Sequence, residues 1–208
     1  VEMSAPAYGG FYPDAPACAA GASPAALFQD NFESGTGNWD ILGSGQWRWD
    51  NWYATSATHM LWGDDYASSS ASMLTMKNGI YLAPGTSPYL HFRHAFLFEN
   101  NSSTYYDGGV LEYSTNNGVT WLDAAPLFSA GKNYSGTVDA TPGTSNALKG
   151  RWAFTGDSHG YVSSRYDLAA LAGQTVKFRW RFATDQFFAF MGWVVDDVQI
   201  YKCVPHIS

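Results

Sequence analysis

The stretch YLHFRHAFLFE, residues 89–99, sets Leu90, Phe92, His94, Phe96 and Phe98 on one side and His91, Arg93 and Leu97 on the other. A side-chain period of two belongs to an extended strand with one buried face. The same alternation runs through GGVLEYST, KGRWAFTG, GYVSSRYDL, TVKFRWRFAT and GWVVDDVQIYK, so it dominates the chain from about residue 80 onward. Asn116-Asn117-Gly118, followed by VTW, is a hairpin signal. Only DLAALAG reads as a helical turn, with Asp167 as its cap and Gly173 as its stop. Closely spaced strands without a βαβ rhythm predict an all-β fold, a two-sheet antiparallel sandwich of jelly-roll type.

Aromatic residues make up 17% of the 208 residues and charged residues only 14%, a balance that favours a large buried core over disorder. Residues 1–26 are rich in Ala, Gly and Pro and read as an arm or linker, with the sandwich over residues 27–208. The net charge of −7 and the lack of a basic stripe argue against a nucleic-acid partner. No run of 18 apolar residues provides a membrane-spanning helix. Cys18 and Cys203 are either two buried thiols or a clasp between the termini. The clasp fits better, because neither cysteine sits in an apolar strand interior and sandwich termini often meet. A disulfide implies an oxidising compartment, hence a secreted or cell-surface protein.

Five segments occur in the order DNFESGTGNW, YDGGVLEYSTNNGVTW, GDSHGY, DLAALAGQTVKFRWRF and GWVVDDVQIYKC. This order resembles the MAM-like jelly-roll modules of secreted bacterial proteins, including those appended to immune-inhibitor-A-like metallopeptidases. The resemblance covers about residues 27–203. It implies a galactose-binding-like sandwich that serves adhesion, recognition or assembly and performs no catalysis. In such modules a cation ties the opening Phe-Glu segment to the closing Asp-Asp strand. Carried over, that implies a structural calcium held by Glu33 and Asp197, with Asp65 and Asp107 as loop donors and Glu99 or Asp30 beside them.

The residues themselves bear on the same question. GDSHG matches the G-x-S-x-G elbow, but a strand follows it where the elbow requires a helix, so a turn is expected. No H-E-x-x-H zinc motif is present. The acids cluster in turns at strand ends, where loops can supply the six to eight oxygens that calcium takes. In VVDDV, only one of Asp196 and Asp197 can face inward, and it must meet a cation or an arginine such as Arg93, Arg179 or Arg181. The segment WDILGSGQWRWDNWY holds Trp39, Trp47, Trp49, Trp52 and Tyr53, which either form a sugar-stacking platform, with Trp47, Trp49 and Trp52 as its candidate surface, or in part, Trp39 and one or two others, plug the sandwich edge. FFAFM, residues 187–191, either caps the sandwich or exposes Phe187, Phe188 and Phe190 to a protein partner, a second copy or a lipid surface. The expectation is therefore an extracellular, calcium-stabilised recognition module without catalysis. The alternatives are a carbohydrate-binding module acting through the Trp segment and a self-assembling fibre subunit strapped by its arm.

Overall fold

The computed structural model describes residues 16–44 and 46–206, so the first half of the predicted N-terminal arm lies outside the described residues. The chain opens with β1 (Ala22–Asp30), β2 (Trp39–Gly43), β3 (Trp47–Asp50), β4 (Met60–Gly63) and β5 (Ser70–Met76). It continues with β6 (Ile80–Tyr81), β7 (Pro88–Leu97), β8 (Gly108–Ser114), β9 (Leu122–Asp123) and β10 (Phe128–Gly131). The closing elements are β11 (Gly136–Thr137), β12 (Trp152–Ala153), β13 (Val162–Asp167), β14 (Thr175–Thr184) and β15 (Gly192–Pro205). Two large antiparallel sheets result, beside a separate two-stranded ribbon of β11 and β12. One runs β10-β13-β7-β15-β4-β3, with β1 added along the second half of β15. The other runs β2-β5-β14-β8-β9, with β6 added to β14. The all-β two-sheet architecture follows directly from the alternation.

The predicted inward face of β7 is fully buried, and its rings pack on Trp180 of β14 and Trp193 of β15. His94 sits among them without charge, because burial depresses its basicity well below the usual range. Its Nδ1 accepts the Trp193 indole N–H at 3.2 Å, leaving Nε2 to donate to the Ser164 hydroxyl at 2.8 Å. Trp39 plugs the sandwich edge, as one of its two expectations had it, buried against Trp180 with its indole N–H on Asp30 Oδ2 at 2.9 Å.

Three details depart from the sequence reading. The boundary at residue 27 cuts β1, which already pairs at Ala22 with Pro205. An edge strand written SPAA has no alternation to betray it. The hairpin after β8 returns later than VTW, at Leu122. Asn116 Oδ1 accepts the Thr120 N–H at 2.9 Å and holds Val119 out in solvent. In β15 the register on β7 shifts between Asp196 and Gln199, and Asp197 takes a positive φ of 48°. This bulge keeps both Val195 and Val198 in the core although they stand three residues apart.

Candidate functional site

Four acids sit at strand ends that the antiparallel register brings to one end of the sandwich. Glu99 lies just past β7, Asp107 just before β8, Asp185 just past β14 and Asp65 just past β4. The pairings Gly108↔Ala183, Gly192↔Leu97 and Trp193↔Gly63 carry them together. All four are buried, and a carboxylate oxygen from each of Glu99, Asp107 and Asp185 lies within 4.8 Å of the others. No Lys or Arg forms an ion pair with any of them among the described residues.

Backbone N–H groups satisfy part of the cluster. Asp185 donates to Asp107 Oδ1 at 2.7 Å, Phe188 to Glu99 Oε2 at 3.2 Å and Phe190 to Asp65 Oδ2 at 2.9 Å. Asp107 Oδ2 and Asp65 Oδ1 are buried and meet no donor. Burial, followed by the neighbouring carboxylates, pushes Asp107 up to about 8 and Asp65 up to about 7, and raises Glu99 as well. Like charges in a dry pocket demand protons or a cation. Converging carboxylates of this kind can hold a hard cation that takes oxygen ligands.

The metal set expected from sequence divides in two. Asp65, Asp107 and Glu99 come together, and Asp185, which the sequence reading missed, completes them. Glu33 and Asp197 belong to a different neighbourhood, beside the loop of residues 54–59. There Glu33 Oε1 accepts the N–H groups of Thr58 and His59 and the Ser56 hydroxyl, at 2.8, 2.7 and 2.9 Å. The Thr58 hydroxyl is the largest of several donors that hold the Glu33 carboxyl down to about 2. Asp197 pairs with Arg93 at 2.8 Å. The inward acid is Asp196, met by the Thr55 and Ser56 N–H groups at 2.7 and 2.9 Å rather than by an arginine. Protein donors already occupy these oxygens.

The aromatic segment also divides. Trp47 is buried against Trp193 and is core, not platform, because β3 alternates and its pairing with Gly63 turns that ring inward. Trp49 and Trp52 stay exposed. Trp49 lies flat on His59 at 3.9 Å and donates its indole N–H to the Phe32 carbonyl at 2.6 Å. Trp52 stacks on Tyr53, which stacks on the buried Tyr161, and meets Trp62 edge-to-face at 5.1 Å. Beside Trp52 is a depression of about 280 Å³, edged by Asn51 and Thr58. Trp62 donates its indole N–H to the Met191 carbonyl at 2.6 Å, so the aromatic ridge continues to the base of the tip. The tip itself is exposed as one of its two expectations had it, with Phe187 and Phe188 59% and 70% accessible and Phe190 partly so.

The GDSHG segment is a turn. Ser158 accepts the Phe96 N–H at 2.8 Å and donates to the Gly160 carbonyl at 2.7 Å, with Gly156, His159 and Gly160 all at positive φ. Cys18 and Cys203 are joined in a disulfide, so the clasp is present.

No family model and no curated protein matches the sequence. Among solved structures the chain is similar to the module TmCBM61 in complex with β-1,4-galactotriose, at 11% identity and a TM-score of 0.50, covering 86% of this chain and 99% of that one. The shared fold is a two-sheet antiparallel β-sandwich. The xylan-binding domain of carbohydrate-binding module family 22 aligns at 12% identity and a TM-score of 0.44, over 91% of this chain and all of that one. The K1 cleaved adhesin domain of Lys-gingipain from Porphyromonas gingivalis W83 aligns at 15% identity and 0.46, over 83% and 96%.

Proposed function

We propose that this chain is an extracellular, non-catalytic carbohydrate-binding module that stacks a glycan on the Trp52–Trp62 ridge. The observation that carries this reading is an exposed Trp52 held rigid on Tyr53 and Trp62, beside a depression edged by Asn51 and Thr58. A pyranose offers an apolar C–H face to a ring and hydroxyls to flanking polar groups, and a preorganised ring loses little freedom on binding. A module of this fold in complex with β-1,4-galactotriose agrees with the reading. A calcium ion held by Glu99, Asp107, Asp185 and Asp65 would neutralise the acid cluster and stabilise that end of the sandwich. The disulfide fits secretion. A glycan array followed by isothermal titration of the bound sugars tests the assignment. Binding should weaken at least tenfold in Trp52→Ala, and an unchanged affinity would remove the ridge from the site.

A further inference from the structure

The loop of residues 185–191 closes the acid cluster from outside, and its backbone is hung on the same carboxylates that would hold a cation. Phe187 N–H donates to Asp185 Oδ1 at 2.9 Å, Phe188 N–H to Glu99 and Phe190 N–H to Asp65. Each exposed ring of the tip is therefore placed by a member of the cluster. Asp107 Oδ2 and Asp65 Oδ1 are buried in the cluster and accept no hydrogen bond from the protein, so the protein's own donors leave the cluster only partly satisfied.

The tip also walls two depressions, of about 410 and 440 Å³, that share Tyr106 and Phe187. Both volumes fall in the range of small-molecule sites. One depression is lined by Phe188 and Phe190 together with Asn100 and Asn101. The other is lined by Phe187 together with Thr144 and Gln186. Rings edged by hydroxyls and amides match the two faces of a sugar. Glu99, Asp139 and Asp185 line the depressions while no Lys or Arg does, so a uronate or sulfated chain would be repelled.

We propose that the Tyr106–Phe187 wall forms a second carbohydrate groove, selective for uncharged oligosaccharides and assembled only when a divalent cation fills the Glu99–Asp107–Asp185–Asp65 cluster. Without the cation, only shared protons hold the clustered carboxylates together, and the backbone that carries the rings loses its fixed anchor. The Trp52 ridge is held by ring stacking and needs no cation, so chelation separates the two sites. This rests on the carbohydrate reading of the ridge, and the experiment distinguishes their failures.

The full chain is titrated calorimetrically with neutral β-1,4-linked galactose and xylose oligomers, and with polygalacturonate as the anionic control, in calcium and in EDTA. Wild type should bind two equivalents of a neutral oligomer in calcium and one in EDTA. The Phe187→Ser/Phe188→Ser variant should bind one in either. Trp52→Ala should bind one in calcium and none in EDTA. Both tip residues are mostly exposed, so the double variant should fold, and Asp107→Asn provides an independent way to lose the cation and the groove together. A single, calcium-independent equivalent in wild type overturns the groove, as does tight binding of polygalacturonate at the tip. Calcium-dependent dimerisation lost in the tip variant would assign the rings to a second copy and overturn it too. Should Trp52→Ala bind like wild type while the tip variant binds nothing, the ridge fails and the groove stands. No binding of any oligomer by any of these proteins overturns both.

Discussion

At the scale of single residues, Asp107 and Asp65 are the most exacting pair. Their carboxyls stand at about 8 and about 7 in the folded protein, against an ordinary 3.8. The cation-free fold therefore retains protons that the unfolded chain releases. This contribution to stability is complete below about pH 4 and is lost as the pH climbs through about 7 to 8. In chelator, the melting temperature should fall between about pH 5 and pH 8, and saturating calcium should abolish that fall. Calcium at about 100 times its dissociation constant would add about 2.7 kcal/mol. Calorimetric scans showing the same melting temperature with chelator and with calcium at pH 8 would contradict the site. The two tryptophans give a second contrast. Trp47 is buried against Trp193, so Trp47→Ala should cost about 3–5 kcal/mol in a denaturant titration. Trp52→Ala, at an exposed ring, should cost far less while removing sugar binding at the ridge.

At the scale of elements, the closing strand shows how a short irregularity organises a large surface. β15 pairs with β7 along one edge, while its other edge passes from β4 to β1 at the bulge of Asp196 and Asp197. Simple alternation cannot place either acid, because the bulge adds a residue to the count. The order of exposed residues in the FFAFM tip was equally illegible, since a connection has no period. The glycine pair of β8 was visible in sequence, but not its reason. A Cβ on Gly109 would come within 2.4 Å of the Trp193 ring, which is packed against the rings of Phe98 and Phe154. Gly109→Ala should therefore overpack the core and cost about 1–3 kcal/mol. Denaturant midpoints would show it, and an unperturbed near-UV spectrum with unchanged stability would mean that the ring moves freely aside.

At the scale of the whole molecule, a disulfide and a strand pairing join the two flanks of the sandwich. Cys18 and Cys203 are separated by 185 residues, and β1 lies along the tail of β15 beside them. In the chain-entropy model, a loop of this length removes about 5 kcal/mol of unfolded-state freedom. Cys18→Ser with Cys203→Ser should lower stability by up to that amount in reversible denaturation. The strand pairing between Ala22 and Pro205 should still keep the native near-UV spectrum at low temperature. A variant as stable as the oxidised wild type would show that strand pairing alone determines closure.

The sequence by itself determined the class of fold, the inward face of β7 and the turn at Ser158, and it favoured a Cys18–Cys203 clasp and offered Trp39 as an edge plug. These depend on local periodicity, on turn chemistry, or on there being two cysteines to join. It also pointed to Asp65, Glu99 and Asp107, but as members of a set that included Glu33 and Asp197 and omitted Asp185. Only the tertiary structure decided which acids meet, because residues 65, 99, 107 and 185 converge through the register of four strands that no local pattern encodes. It likewise decided that Trp47 is buried while Trp49 and Trp52 are exposed, since a ring's side of the sheet follows from what its strand pairs with. Periodicity is a property of neighbours along the chain, whereas a binding site is a property of neighbours in space.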